Sequence, residues 1–441
     1  MLKRNNALSV VIGLILCGLS GFAQQDLNNN NTTSPFSRFG LGVLSHYSFG
    51  RTSAMGGASL GSRHEVQTNS SNPASYNAID SLSFVFDFGL DGTSSKYKSN
   101  SGTMNAKDIN FRYLSLSFPI NKWIGAAMGL QPFSDMGYEE IFNQEVAGVG
   151  TVYHNYTGEG SSTKSFFGLS VMPIKGLSLG ANLNYIFGRL NQNTVVTYSD
   201  ATLYYLSRVE STRLSDFTLN YGLQYDFKLK KNQFLTLGVT FENQSNFNAL
   251  HSLFTYKSMS NGTTVVSSVI GGDSIPERKG TILLPSTFGV GLSYNKLNKL
   301  EINADYYYAG WSKSTFFGSQ NELLTNQSRI SAGFEYTPEA FSIRSYVKRI
   351  KYRAGVHLEN SYLQLADPKS TDANAPKHQI KEFGVSFGAG IPFPKSKSTA
   401  NFAFEFGKQG TTDYNLAKNN YVKMSVYLNL FDYWFMKRKF D

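Results

Sequence analysis

Glu301 and Asp305 stand four residues apart in "KLEINADYYYA", a stretch that alternates with period two. On a strand that spacing puts both carboxylates on one face, where two acids can do acid–base work or join an ion-pair network. The same parity collects Asp87, Asp226, Glu242, Glu335, Arg353, Glu359, Glu382, Glu405 and Lys423 opposite the apolar residues of their own segments. Acids and bases on a shared face favour the network, with Arg329, Arg353 and Lys423 as its cations and His357 as a member. The six histidines show no HxH or HxxxH spacing, so the pattern offers no metal site, no cofactor and no catalytic residue.

What must position this face is a set of alternating strands from Leu82 to Leu430. In "YVKMSVYLNL", Val422, Met424, Val426, Leu428 and Leu430 share one side, and Lys423, Ser425, Tyr427 and Asn429 share the other. About fourteen such segments are expected, centred on 82–90, 110–118, 123–131, 163–172, 177–187, 214–227, 233–242, 286–294, 299–308, 328–336, 351–359, 380–391, 400–407 and 420–430. After every second segment comes a short polar turn, such as "PIKG", "KLKKNQ" or "PFPKSKS"; "TPEAFSIRSYVKR" is longer. The other connections are long: 91–109, 132–162, 188–213, 243–285, 309–327, 360–379 and 408–419. Short turns at one rim and long loops at the other describe an all-β transmembrane antiparallel barrel, with both termini periplasmic and the long loops extracellular. The apolar parity, including Phe84, Phe86, Phe88, Leu179, Ile302, Phe402, Phe404 and Phe406, then faces outer-membrane lipid. A basic residue on that face would cost about 2–4 kcal/mol at mid-depth. Tyr306, Tyr308, Trp123, Trp311 and Trp434 read as rim anchors.

The N-terminus supports that location. Lys3 and Arg4 precede the apolar run "ALSVVIGLILCGLSGF", and "GFA" ends it at a small residue, so residues 1–23 read as a cleaved signal peptide. Cleavage removes Cys17, the only cysteine, and lowers the formal charge from +10 to +8 as Lys3 and Arg4 leave. The remaining basic excess forms no cluster suited to nucleic acid. Residues 24–80 begin with a flexible Asn-rich tail and continue as a glycine-rich stretch with apolar anchors Phe36, Phe39, Leu41, Leu44 and Phe49. It is too apolar for a free linker and too irregular for strands. It reads as an N-terminal plug folded into the barrel of residues 81–441, with Arg38, Arg51 and Arg63 available to lumenal acids or to a carboxylate ligand. Gly289, Gly291, Gly384, Gly388 and Gly390 on the inward face leave room for that plug, or for tyrosines from the facing wall.

Taken in order, "NPASY" (72–76), "LQPFSDMGYE" (130–139), "LPSTFGVGLSY" (284–294), "DYYYAGWS" (305–312), "YRAGVHLENSYLQL" (352–365), "IKEFGVSFGAGIPFP" (380–394) and the C-terminal "NNYVKMSVYLNLFDYWFMKRKFD" resemble the FadL-type outer-membrane transport proteins in their Bacteroidota form. The resemblance implies a fourteen-stranded barrel with a plug, for which Phe36, Arg38, Phe39, Arg51, Asn72 and Pro73 are candidate plug or ligand residues. It implies transport of hydrophobic compounds such as long-chain fatty acids, with a lateral opening where the third strand kinks. Pro132, beside Phe133, lacks an N–H and supplies a physical reason for a kink or for a strand end. Leu250, Leu253 and Phe254 fall in a long connection and read as an outer capture loop for a hydrophobic ligand, or as a surface for protein partners. The alternative function is a non-transporting barrel subunit of an outer-membrane complex, in assembly or type IX secretion machinery.

The parity argument carries its own test. Single cysteines at 400–407 are expected to alternate. Positions 402, 404 and 406 should take a lipid-soluble label, and 405 an aqueous one. Equal labelling of both parities would overturn the barrel.

Overall fold

In a computed structural model, residues 32–45, 49–100, 102–200, 204–260, 265–270, 274–368, 370, 372 and 375–433 are described. The signal peptide, the Asn-rich tail up to residue 31 and Trp434 lie outside them. Fourteen antiparallel strands close into one barrel: β1 Ser83–Ser99, β2 Gly102–Pro119, β3 Ile124–Val146, β4 Gly150–Ile174, β5 Leu177–Tyr198, β6 Tyr205–Lys230, β7 Gln233–Glu242, β8 Thr287–Lys296, β9 Leu300–Ala309, β10 Gln327–Tyr336, β11 Lys351–Ala366, β12 Lys377–Pro392, β13 Thr399–Gly410 and β14 Lys418–Tyr433. Closure is made by β14 on β1, from Ser83↔Tyr433 to Lys98↔Lys418. No helix among the described residues is long and apolar enough to cross a membrane.

The alternation predicted from sequence sorts as expected. Asp87, Glu301, Glu335, Arg353 and Glu359 are buried, whereas Leu179, Ile302, Phe387, Phe404 and Phe406 are exposed on the outer wall. Two expectations fail at the long-loop end. In stretches 91–109, 132–162 and 188–213 most of the described residues are not in loops. They are continuations of β1 to β6, paired out to Ser99↔Gly102, Val146↔Gly150 and Val196↔Leu206. Above the lipid band both faces of a strand are polar, as in "TGEGSSTK", so the apolar period fades while the ladder continues. Likewise Leu250, Leu253 and Phe254 lie on a strand, Ser245–Ser260, paired with the upper part of β6 and with Ile275–Leu284. Leu253 shares the buried parity of Phe247 and Ala249, whereas Leu250 and Phe254 fall on the opposite, partly exposed face, so the expected capture loop is corrected to a strand on which only Leu253 of the three faces in.

Trp311 is the third correction. It sits in the interior, its ring 4.9 Å from that of Tyr362. It belongs to an apolar cluster at the long-loop end that includes Phe36, Leu41, Met136, Ile186, Ile282, Leu324 and Leu416. Burial of each large member contributes about 1.5–3 kcal/mol.

Residues 32–45 and 49–80 run inside the barrel through three 3-10 turns, Pro35–Arg38, Gly50–Met55 and Pro73–Ala78. Wall glycines admit the backbone of this inner segment. A Cβ at Gly333 or Gly355 would overlap the Met55 backbone, one at Gly238 the Leu60 carbonyl, one at Gly180 the Pro73 backbone and one at Gly125 the Tyr76 carbonyl. Of the five glycines singled out in the sequence, Gly289 and Gly291 face Leu60 and Gly388 faces Ala54. Gly384 and Gly390 instead receive His357 and Arg353 from the neighbouring strand. The reading as room for the inner segment is realised at three of the five, whereas the other two admit side chains of the adjacent strand and none receives a tyrosine from the facing wall. Gly355→Val is expected to destabilise the protein by about 1–3 kcal/mol through overpacking, measured as a lowered unfolding midpoint in detergent. Gly318→Val, where a Cβ meets nothing within 4 Å but φ is +85°, separates backbone strain from overlap: the inner segment should gain protease sensitivity only in Gly355→Val.

Candidate functional site: the lumen and the parted wall

The inner segment is tied down by charge. Arg51 pairs with Glu301 and lies 3.6 Å from Glu335; Arg353 Nε donates to Glu335 at 2.7 Å and its Nη1 to Asn401 at 2.8 Å. Two cations thus face two acids, all nearly excluded from solvent. Such a cluster is weak evidence for net stability, but removing one member strands a buried charge. Arg63 pairs with Asp226 at 3.1 Å and Arg38 with Glu140 at 2.7 Å, with the Arg38 guanidinium 3.8 Å from the Tyr156 ring centroid. All three arginines therefore engage wall acids. Asp305 accepts the backbone N–H groups of Ser59 and Leu60. Glu301 is thus engaged by Arg51, and one oxygen of Asp305 by the inner segment.

Asn72 is completely buried and caps the Pro73–Ala78 turn by accepting from Ala74 N at 3.1 Å. Its amide donates to the carbonyls of Leu60 at 2.9 Å and Leu223 at 3.2 Å. Pro73 fills the notch at Gly180 and Gly222. "NPASY" is thus a docking element on the wall: Tyr76 reaches Asn182 at 2.9 Å. Phe36 and Phe39 join the apolar cluster near the long-loop end.

Pro132 and Phe133 lie where the wall parts. The β2–β3 ladder runs only from Pro119↔Gly125 to Leu114↔Leu130. Beyond it β2 stays on β1 and β3 on β4, where the register shifts between Pro132 and Ser134. The inner segment occupies the freed edge of β3. Val43 and Leu44 pair with Asp135 and Ser134. Ser45 N donates to Phe133 O at 2.9 Å, and Ser34 N to Gly137 O at 2.8 Å. Gly137 N donates to Ser37 Oγ at 3.0 Å. Across the gap, Thr33 Oγ1 donates to Asp108 of β2 at 2.9 Å. Gly42 is essential to this contact: its φ is +87°, and a Cβ would strike the Asp135 carbonyl. Beside the parting lies a cavity of about 170 Å³, with Leu44, Phe133, Tyr307 and Trp311 in its wall together with Lys164, Glu242 and Arg329.

Two features escaped the sequence. His357, Glu382 and Glu405 bring ligand atoms within 4.8 Å of one another. They come from three neighbouring strands, so no local spacing announces them. They are tied into the wall: His357 Nε2 lies 3.3 Å from Glu382, the one Tyr421 hydroxyl lies 2.6 Å from Glu382 and 2.8 Å from Glu405, and Lys423 lies 3.5 Å from Glu405, while His357 Nδ1 has no hydrogen-bond partner among the described residues. The other is "GASLG" at 57–61, which has the GxSxG spacing of a nucleophile elbow. Ser59 is buried on the inner segment, away from any strand-to-helix turn, so the spacing is incidental.

The fourteen-stranded barrel is a fold that this chain shares with solved hydrocarbon channels and transporters. The toluene transporter TodX of Pseudomonas putida superposes with a TM-score of 0.57 at 17% identity, covering 89% of this chain and 100% of that one. A Pseudomonas aeruginosa FadL homologue gives 0.56 at 13% identity, over 89% and 100%. The Ralstonia pickettii toluene transporter TbuX gives 0.55 at 14% identity, over 88% and 99%. Within that fold the chain belongs to the BamG family, whose family model matches residues 1–441. No curated protein matches it in sequence.

Arg51→Met is expected to cost about 3–5 kcal/mol by leaving Glu301 and Glu335 under-compensated. Arg51→Met combined with Glu301→Gln should recover a substantial part. Thermal unfolding of the two variants in one detergent checks the difference.

Proposed function

We propose that the protein is a sealed outer-membrane barrel that serves as a non-transporting subunit of an envelope protein complex, with its short turns and termini in the periplasm and its N-terminal segment as a permanent plug. The observation that carries this reading is the stitching of residues 33–45 along the parted edge of β3. A lateral gate needs that edge free. Here the β3 edge from Phe133 to Gly137 has its backbone partners in the inner segment, and the buried Arg51–Glu301–Glu335–Arg353 group holds the rest of the segment. The match to the BamG family spans the whole chain, whereas the toluene transporters share the fold at low identity, so their cargo does not carry over.

A second reading, passage of a small hydrophobic compound, is favoured by one feature: the cavity of about 170 Å³ abuts Phe133 at the parting. An apolar void of about 150 Å³ holds a benzene ring in another protein. A long-chain fatty acid would need the plug to move.

Gentle detergent extraction from the native envelope, followed by mass spectrometry of proteins and lipids, separates the readings. The complex reading expects fixed stoichiometric protein partners and no enriched hydrophobic compound. A lone barrel carrying such a compound would overturn it. In planar bilayers, the intact protein should be nearly non-conducting, and deletion of residues 34–79 should open a conductance.

A further inference from the structure

The short-turn end of the barrel holds the largest of the described cavities, about 950 Å³, within the range of ligand pockets. Its wall is electropositive. Lys296, Lys299, Arg349, Lys351 and Lys395 all border it, and none of the five forms an ion pair among the described residues. Arg51 and Arg63, which also reach it, are already committed to Glu301, Glu335 and Asp226. Glu65 and Asp432 are the remaining acids of the lining, so the bowl keeps a surplus of positive charge.

Over this bowl stands residues 337–350, the connection from β10 to β11, which is far longer than the turns "PIKG" or "KLKKNQ" at the same rim. It is held in shape by its own bonds. Glu339 N donates to Lys348 O at 2.8 Å, Lys299 Nζ to Pro338 O at 2.7 Å and Tyr346 Oη to Pro392 O at 2.5 Å. Yet Phe341 is 79% exposed and Ile343 101%. Large apolar side chains displayed on a fixed loop beside an electropositive hollow are a preorganised anchor for a partner.

We propose that this bowl and loop form a docking site for an acidic, apolar-studded peptide segment of a periplasmic partner protein. Carboxylates of the segment enter the bowl toward Lys296, Lys351 and Lys395, and its apolar residues cover Phe341 and Ile343. A lipid surface is the lesser fit, because Phe341 borders the lumenal bowl rather than the lipid-facing wall. The proposal rests on the complex-subunit reading for the existence of a partner. That reading survives if partners copurify but dock elsewhere.

The test uses the full chain in phosphatidylcholine nanodiscs and a fluorescein-labelled peptide of alternating glutamate and leucine. Saturable binding that weakens with added salt is expected. Lys296→Glu with Lys395→Glu should lower the affinity about tenfold or more, and Phe341→Ser with Ile343→Ser should lower it independently. Unchanged unfolding midpoints would show that both variants remain folded. Equal binding of a lysine–leucine peptide, or unchanged affinity in the charge-reversed variant, would overturn the proposal. So would displacement of the peptide by phosphatidylglycerol micelles with retention of the lipid, which would make the face a membrane contact.

Discussion

Everything inside this barrel depends on one constraint: an irregular chain must run through the lumen without leaving its buried backbone polar groups unpaired. Two devices meet it. Glycines on the wall let the segment's backbone lie close to the strands, as at Gly333 and Gly355 against Met55. Side chains from the wall then take up individual backbone groups. Asp305 accepts from Ser59 and Leu60, and Asp87 accepts from Thr68 N at 3.0 Å. Ser386 accepts from Gly56 N at 2.9 Å. Charges that would be intolerable on the lipid face become the means of holding the interior.

The same accounting explains the parted wall. When β3 leaves β2 above Leu130, its edge would present unpaired N–H and C=O groups. Residues 33–45 supply the missing strand edge from within the chain, a β-augmentation in cis. Pro132 is compatible with the departure because it has no N–H to lose. The kink and its closure are thus one feature, and the apolar cluster of Phe36, Leu41 and Met136 secures it from the inside.

Strand number, facing and closure were legible because lipid enforces parity: one residue's slip would place Glu405 among Phe404 and Phe406 in hydrocarbon. The upper strand extensions were not legible, since no apolar face marks "TGEGSSTK" once both sides meet water or a polar lumen. Leu253 and Trp311 were misplaced for a related reason. Apolar residues near the long-loop end look the same in sequence whether they face outward or close the mouth from within. Arg51 could be read as a partner for lumenal acids, but its choice of Glu301 and Glu335 depends on a register between distant elements. The His357–Glu382–Glu405 grouping required three strands in register and left no trace in local spacing.

The central claim is that the N-terminal segment is a fixed part of the wall rather than a moving gate. Hydrogen–deuterium exchange of the intact protein in nanodiscs, read by mass spectrometry over residues 33–45 and 133–137, tests it most directly. The account predicts that the amides of both stretches exchange as slowly as those of the continuous β13–β14 ladder. Rapid exchange of residues 33–45 and of the β3 edge, beside a protected β13 and β14, would contradict it.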